Sequence, residues 1–175
     1  DYYDCATNST KTVKCEPKQA EYRQLILPFL KDFAAHLKAK GWFTRTCIAM
    51  DERPMDQLQA AWDLVKEADS QYRIEGAMNY KVGDTGLIDE MHDISILYYD
   101  AHVPREYMDA RRAKGQKTTF YTCCGPDRPN TFTFSDPAES AFLGWHAYTL
   151  GFDGYLRWAY NSWPVRPCQD SRFIT

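Results

Sequence analysis

No apolar run in these 175 residues approaches the roughly 20 needed to cross a bilayer, so no helical membrane span is expected within this sequence. Nor does one charge dominate. Lys and Arg number 21 against 24 Asp and Glu, a net charge of -3, and neither nucleic acid nor an anionic membrane is expected as a partner. The amino terminus lacks the basic-then-apolar pattern of a secretory signal, so any signal has been removed or was never present. Internal repeats and low-complexity tracts are missing too. The six cysteines (Cys5, Cys15, Cys47, Cys123, Cys124 and Cys168) lack the paired spacing of a zinc site, and no metal or cofactor is expected. Cys123 and Cys124 are adjacent, and neighbours bridge each other only with strain. Cys5 and Cys15 are placed to form a local bridge if the protein is exported. Asn8-Ser9-Thr10 is a glycosylation sequon, meaningful only in a eukaryotic secretory context.

What the chain does have is aromatic surface. Phe, Trp and Tyr make up 15%, including twelve tyrosines and five tryptophans, and flat rings suit sugar faces as well as tight cores. With 44% hydrophobic residues, residues 1–175 are expected to form a single domain. Residues 1–17 are polar and irregular, with neither helical nor strand period. From Lys18, Tyr22, Leu25, Ile26, Phe29, Phe33 and Leu37 follow helical spacing up to Gly41, and Pro28 is expected to kink or split the helix. A short apolar strand runs to Met50. Pro54 opens a helix with Met55, Leu58, Trp62 and Val65 on one face. A strand over residues 72–80 follows, and then a linking segment around residues 83–91. The strand over residues 93–100 has a continuous apolar middle, as in parallel sheets buried on both faces. Pro104 opens a helix that Gly115 closes, and residues 117–124 form another strand. The turn-rich loop over residues 125–130 is long enough to carry function.

The next helix has a clear start: Asp136 as cap, Pro137 first, and Glu139 in a capping-box position. Ala138, Ala141, Phe142, Trp145 and Tyr148 are expected to form its apolar face, and Gly151 ends it. A last strand covers residues 154–161. About five strands alternating with helices predict an α/β fold of successive right-handed βαβ units with a parallel sheet. A complete TIM barrel needs eight such strands and typically about 250 residues. The sheet is therefore open, or it is the carboxyl-terminal part of a barrel.

Chemistry concentrates at Asp51-Glu52, where an apolar run ends in two adjacent carboxylates just before a proline. In parallel α/β proteins the loop past a strand's carboxyl end is where reacting groups sit. Two acids there suit acid/base work on a sugar, one protonated and one ionised. The competing reading is structural: Asp51 caps the following helix and Glu52 favours its dipole. Neighbours in a regular strand point to opposite faces, so both reach one sugar only if the strand has ended or bulges at Asp51. Other strand-end positions are Asn79, Tyr80, Tyr99, Asp100, Tyr121, Trp158, Tyr160 and Asn161. Of these, Asn79, Tyr80, Tyr99, Tyr121, Trp158 and Asn161 are the candidate substrate-binding residues. Trp158 is suited to stacking on a sugar, and Asn161 with a tyrosine to holding hydroxyls or an acetamido oxygen. Packing at the rim is the alternative for each. Arg157 is expected to pair with a buried carboxylate. His36 and His146 lie in helical stretches and read as structural or solvent-facing, while His92 and His102 flank a strand.

The segments Ile48-Ala-Met-Asp-Glu-Arg-Pro54, Phe120-Tyr-Thr-Cys-Cys-Gly-Pro126 and, above all, residues 144–163 (GWHAYTLGFDGYLRWAYNSW) resemble the catalytic domain of glycoside hydrolase family 123. The resemblance covers nearly the whole chain in order. It implies a TIM-barrel β-N-acetylgalactosaminidase, commonly behind a β-sandwich, of which this chain would be the carboxyl-terminal part of the barrel, a partial barrel of about five strands. The sandwich, the first barrel strands and the usual tail are lacking, so the missing strands are expected from the rest of the parent protein. It further implies a retaining mechanism assisted by the substrate's acetamido group, with Glu52 as acid/base and Asp51 as the carboxylate that orients the acetamido group. The expected partner is a carbohydrate, a glycan or glycolipid with terminal N-acetylhexosamine. Export from a bacterial cell, to periplasm or medium, is expected with it. The alternatives are a non-catalytic carbohydrate-binding module and an inactive barrel fragment.

Overall fold

The computed structural model describes residues 1–79, 82, 86–97, 103–123, 125, 128–132, 134–157 and 166. They fall into two compact units, Asp1–Ile48 with Arg53–Tyr72, and Ala49–Glu52 with Arg73–Thr175. The fold is mixed α/β, with a five-stranded parallel sheet whose strands alternate with helices, as in a partial barrel.

The first unit opens on a hairpin, not on the irregular lead-in expected of residues 1–17. Strands β1 (Tyr2–Asp4) and β2 (Ser9–Lys11) pair antiparallel, with Tyr2 opposite Lys11. Strands of three residues, none of them buried, are too short to leave a period to read in the sequence. The turn is held locally, by the Ala6 N–H donating to the Asp4 carboxylate at 2.9 Å and by Asn8 at φ 51°, a left-handed value that Asn tolerates well. Cys5 and Cys15 are unbridged thiols.

Helix α1 (Ala20–Ala39) runs through Pro28 without being split. Its buried stripe is Leu30, Ala34 and Leu37, while Phe29 and Leu25 are exposed. Packing of a stripe that lies mostly beyond the proline outweighs the local cost of one lost backbone bond, about 3 kcal/mol. Helix α2 (Met55–Ala68) buries Leu58, Leu64 and Val65 and packs against α1. Beneath them, Tyr72 is buried and its hydroxyl donates to the Leu30 carbonyl at 2.8 Å, with the Phe43 ring 5.1 Å away.

The sheet order is β3-β4-β5-β6-β7, formed by β3 (Cys47–Met50, of which Ala49 and Met50 belong to the second unit) and, all in the second unit, β4 (Arg73–Met78), β5 (Asp93–Leu97), β6 (Lys117–Tyr121) and β7 (Gly154–Leu156). The pairs β4–β5, β5–β6 and β6–β7 are parallel, as the alternation with helices predicts. Ile74, Met78, Ile94, Ile96 and Phe120 are buried, with Ile88, Met91, Met108, Leu143 and Phe152 completing the core. Between β4 and β5 the segment expected as a plain link contains the short helix α3 (Gly86–Glu90).

Helix α4 (Arg105–Ala113) follows Pro104 and stops before Gly115, whose φ of +75° suits a residue without Cβ. Arg111 on α4 is only 3% exposed. Its guanidinium donates to the Thr118 hydroxyl at 3.1 Å and to the carbonyls of Asp89 at 3.1 Å, Met91 at 2.9 Å, His92 at 3.4 Å and Lys117 at 3.2 Å. One buried cation thus ties α4 to the amino ends of β5 and β6.

Helix α5 (Pro137–Leu150) begins and ends as predicted. The Asp136 carboxylate accepts from the Ala138 N–H at 2.9 Å, and Gly151 takes φ +84°. Its inward face, however, is not the expected one. Leu143 and Ala147 are buried, whereas Phe142, Trp145 and Tyr148 are 50%, 70% and 77% exposed. The space over β6 and β7 is already filled by Phe120 with the rings of Phe152 and Tyr155 at 5.2 and 5.3 Å from it, so the slim Leu143–Ala147 edge seats best. His146 joins that cluster at 5.8 Å from Phe120, and burial lowers its pKa, in keeping with a structural role.

Candidate active site

Strand β3 ends at Met50, so Asp51 and Glu52 stand in the loop just beyond its carboxyl end. That removes the alternation that would have sent them to opposite faces. Both are exposed. Asp51 lines a cavity of about 480 Å³ along one face of the sheet. Glu52 is reached from across the sheet: the hydroxyl of Tyr121, at the carboxyl end of β6, donates to its Oε1. Tyr121 lines the same cavity and is only 6% exposed. Burial first, then the hydrogen bond to Glu52, push its phenol far above the usual tyrosine range.

The cavity wall follows strand register. Glu75, Asp93 and Lys117 are paired neighbours and form its charged end. The next paired set, Ala77, Ser95 and Thr119, is small and mildly polar; Ser95 is buried and its hydroxyl has no hydrogen-bond partner among the described residues. These residues were missed as candidates, although strict alternation along each strand places them on one face. At the charged end His92 contacts Asp93 at 2.7 Å and also meets Arg73; it lies at the amino end of β5, the opposite end from Tyr121 and Glu52. Arg157 lines the cavity as well.

The loop after β6 is pinned at one side of this rim. Asn130 is fully buried, its N–H donates to Glu139 Oε2 at 2.9 Å and its side-chain amide donates to the Cys123 carbonyl at 3.1 Å. Glu139 therefore braces a loop besides occupying its place in the first turn of α5. The Thr122 and Tyr155 hydroxyls are 2.7 Å apart.

Of the sequence-predicted site residues, the structure brings Asp51, Glu52 and Tyr121 together. Asn79 is exposed just past β4 and does not line the cavity. Tyr80, Tyr99, Trp158 and Asn161 lie outside the described residues.

A partial (β/α) barrel carrying two adjacent acids at the carboxyl-terminal rim is the class that fold and site define. The family model of the glycoside hydrolase 123 catalytic domain matches residues 1–175. The chain belongs to that family. Among solved structures it is similar to a family 123 glycoside hydrolase from Clostridium perfringens, determined in work on glycolipid glycan hydrolysis, at 36% identity and a TM-score of 0.79. The match covers 93% of this chain and 29% of that one, so the chain spans under a third of the solved relative. Comparison with curated proteins found no match.

Proposed function

We propose that the polypeptide carrying this chain is a glycosidase that removes terminal β-linked N-acetylgalactosamine with retention, using the substrate's own acetamido group as nucleophile. The observation that carries this is the placement of Asp51 and Glu52 beyond one strand end, one lining the cavity and the other held by a cavity residue. Membership of a glycoside hydrolase family and the glycolipid work on the Clostridium relative support it.

In the first step the acetamido carbonyl oxygen bonds to the anomeric carbon as the glycosidic bond breaks, and Glu52 gives its proton to the departing oxygen. The acetamido nitrogen gains positive charge, and its N–H is held by the Asp51 carboxylate, which offsets that charge. In the second step water attacks the anomeric carbon, passes a proton back to Glu52, and the acetamido group is released unchanged. No protein carboxylate bonds to the sugar, which suits neighbouring acids on one side of it and not a facing pair.

Replacing Glu52 by Gln in the full polypeptide is expected to lower turnover of an aryl N-acetylgalactosaminide by roughly 10²–10⁴ while a thiazoline mimic of the intermediate still binds. Full retained rate would remove Glu52 from this role. Sugar retention with no turnover by the unmodified protein would favour a binding module instead. Parallel assays on galacto- and gluco-configured substrates test the preference at C4.

A further inference from the structure

The geometry points to Tyr121 as a positioning residue that holds the Glu52 carboxyl for proton transfer and does not itself grip the sugar; this rests on the acid/base role proposed for Glu52. An exposed glutamate samples many rotamers, and fixing it in one orientation costs on the order of 1–2 kcal/mol of side-chain entropy. Tyr121 removes most of that freedom. Its ring is buried at 6% exposure, its backbone sits in β6 in register with Leu97 on one side and Leu156 on the other, and its hydroxyl donates to Glu52 Oε1. A phenol has a single proton to donate, and here that proton is committed to Glu52, so toward a sugar Tyr121 has no donor left and only its oxygen to accept with.

The division of labour follows from which atoms are occupied. Oε1 of Glu52 is anchored, and Oε2 is the oxygen that exchanges the proton. As the bond between the anomeric carbon and the leaving oxygen breaks, the proton moves from Glu52 Oε2 to that oxygen, while the Tyr121 proton stays on its own oxygen throughout. Burial and the neighbouring carboxylate keep that phenol protonated well beyond its ordinary range, so the anchor persists into alkaline solution.

An acid that must be aimed matters most when the leaving group cannot depart without a proton. The test compares kcat/KM of the full polypeptide on two N-acetylgalactosaminides, one with a dinitrophenyl leaving group and one with a sugar or alkyl aglycone. Tyr121→Phe keeps the buried ring and deletes only the hydroxyl. It is expected to lower kcat/KM for the alkyl or sugar aglycone by roughly 10- to 100-fold, with the dinitrophenyl substrate changed less than about threefold and KM little altered for either. In the double variant with Glu52→Gln, the tyrosine change is expected to add nothing for either substrate. Equal losses on both substrates, a shared rise in KM, or additivity in the double variant would overturn the positioning role and return Tyr121 to sugar contact or simple packing. Glu52→Gln alone serves as the reference: if it too slows both substrates equally, the acid/base role has failed and not merely its anchoring. Near-UV circular dichroism and melting temperature establish that each variant is folded. Should Tyr121→Phe not fold, incorporation of fluorotyrosine at 121, which alters donor strength without changing shape, must change the ratio between the two substrates for the inference to stand.

Discussion

Removing the guanidinium of Arg111 should be among the most damaging single changes to this fold. Arg111→Met keeps the length and apolar stem of the side chain but deletes five donor contacts. The carbonyls of Asp89 and Met91 each retain the Gln116 side-chain amide at 3.1 Å, and His92 retains the Lys117 N–H at 3.0 Å. The Lys117 carbonyl belongs to the β5–β6 ladder, so of the five acceptors the fully buried Thr118 hydroxyl is the one that depends on Arg111. At about 1–3 kcal/mol for a buried group left unpaired, the hydroxyl alone sets an expected cost of about 1–3 kcal/mol, and the four carbonyls that lose a charged donor add to it. Arg111→Lys should be no milder. It keeps a buried charge but offers a compact ammonium that cannot span four carbonyls and a hydroxyl. The adjacent Arg112 is the control: its side chain is 40% exposed and pairs with Asp109 and Asp153, so Arg112→Met should cost about 1 kcal/mol or less. Equilibrium urea denaturation followed by far-UV circular dichroism reads the difference, provided the slope with denaturant is unchanged. Arg111→Met within about 1 kcal/mol of the parent, or Arg111→Lys clearly milder than Met, would refute the view that this cation is held for its geometry.

Gly76→Ala is expected to destabilise by about 1–3 kcal/mol, because a Cβ there would lie 2.0 Å from Met78 Cε and 2.8 Å from Sδ of fully buried Met91; a thermal melt checks it. Asp136→Ala should cost about 1 kcal/mol through loss of the cap on α5, with Asp136→Ser recovering most of it in the same melt. Tyr107, half-buried and donating to Asp89, has its pKa pushed up to about 12. The raised value means its contribution is complete below the unfolded-state pKa near 10 and is lost as pH climbs from there through about 12. Stability measured across that window should fall less steeply in Tyr107→Phe.

Much of the architecture was legible because local chemistry and the final fold agree. Pro104 and Gly115 bracket α4, Asp136-Pro137 and Gly151 bracket α5, and the apolar run at residues 94–97 forms β5. The acids were legible too, as a pair just past a strand. What escaped reading depends on partners distant in sequence. The aromatic stripe of α5 reads as an inward face until Phe120, Phe152 and Tyr155 are seen to fill that space. Arg111 stands in an Arg-Arg pair with no mark to say which of the two is buried. The hairpin near the amino terminus is set by one carboxylate and one left-handed Asn, features too local for periodicity to register. Tyr121 was placed correctly at a strand end, yet nothing near it in the sequence announces that its hydroxyl meets Glu52.

Sixty-nine positions separate those two partners along the chain. The bond that aims Glu52 comes from far along the chain: the clasp closes only once four adjacent strands have zipped in order, a slow and non-local event. A half-assembled sheet would already display both carboxylates and most of its helices while lacking any means of pointing one of them. During refolding, recovered catalysis should therefore trail recovered helicity, and the lag would measure how late the last strand joins.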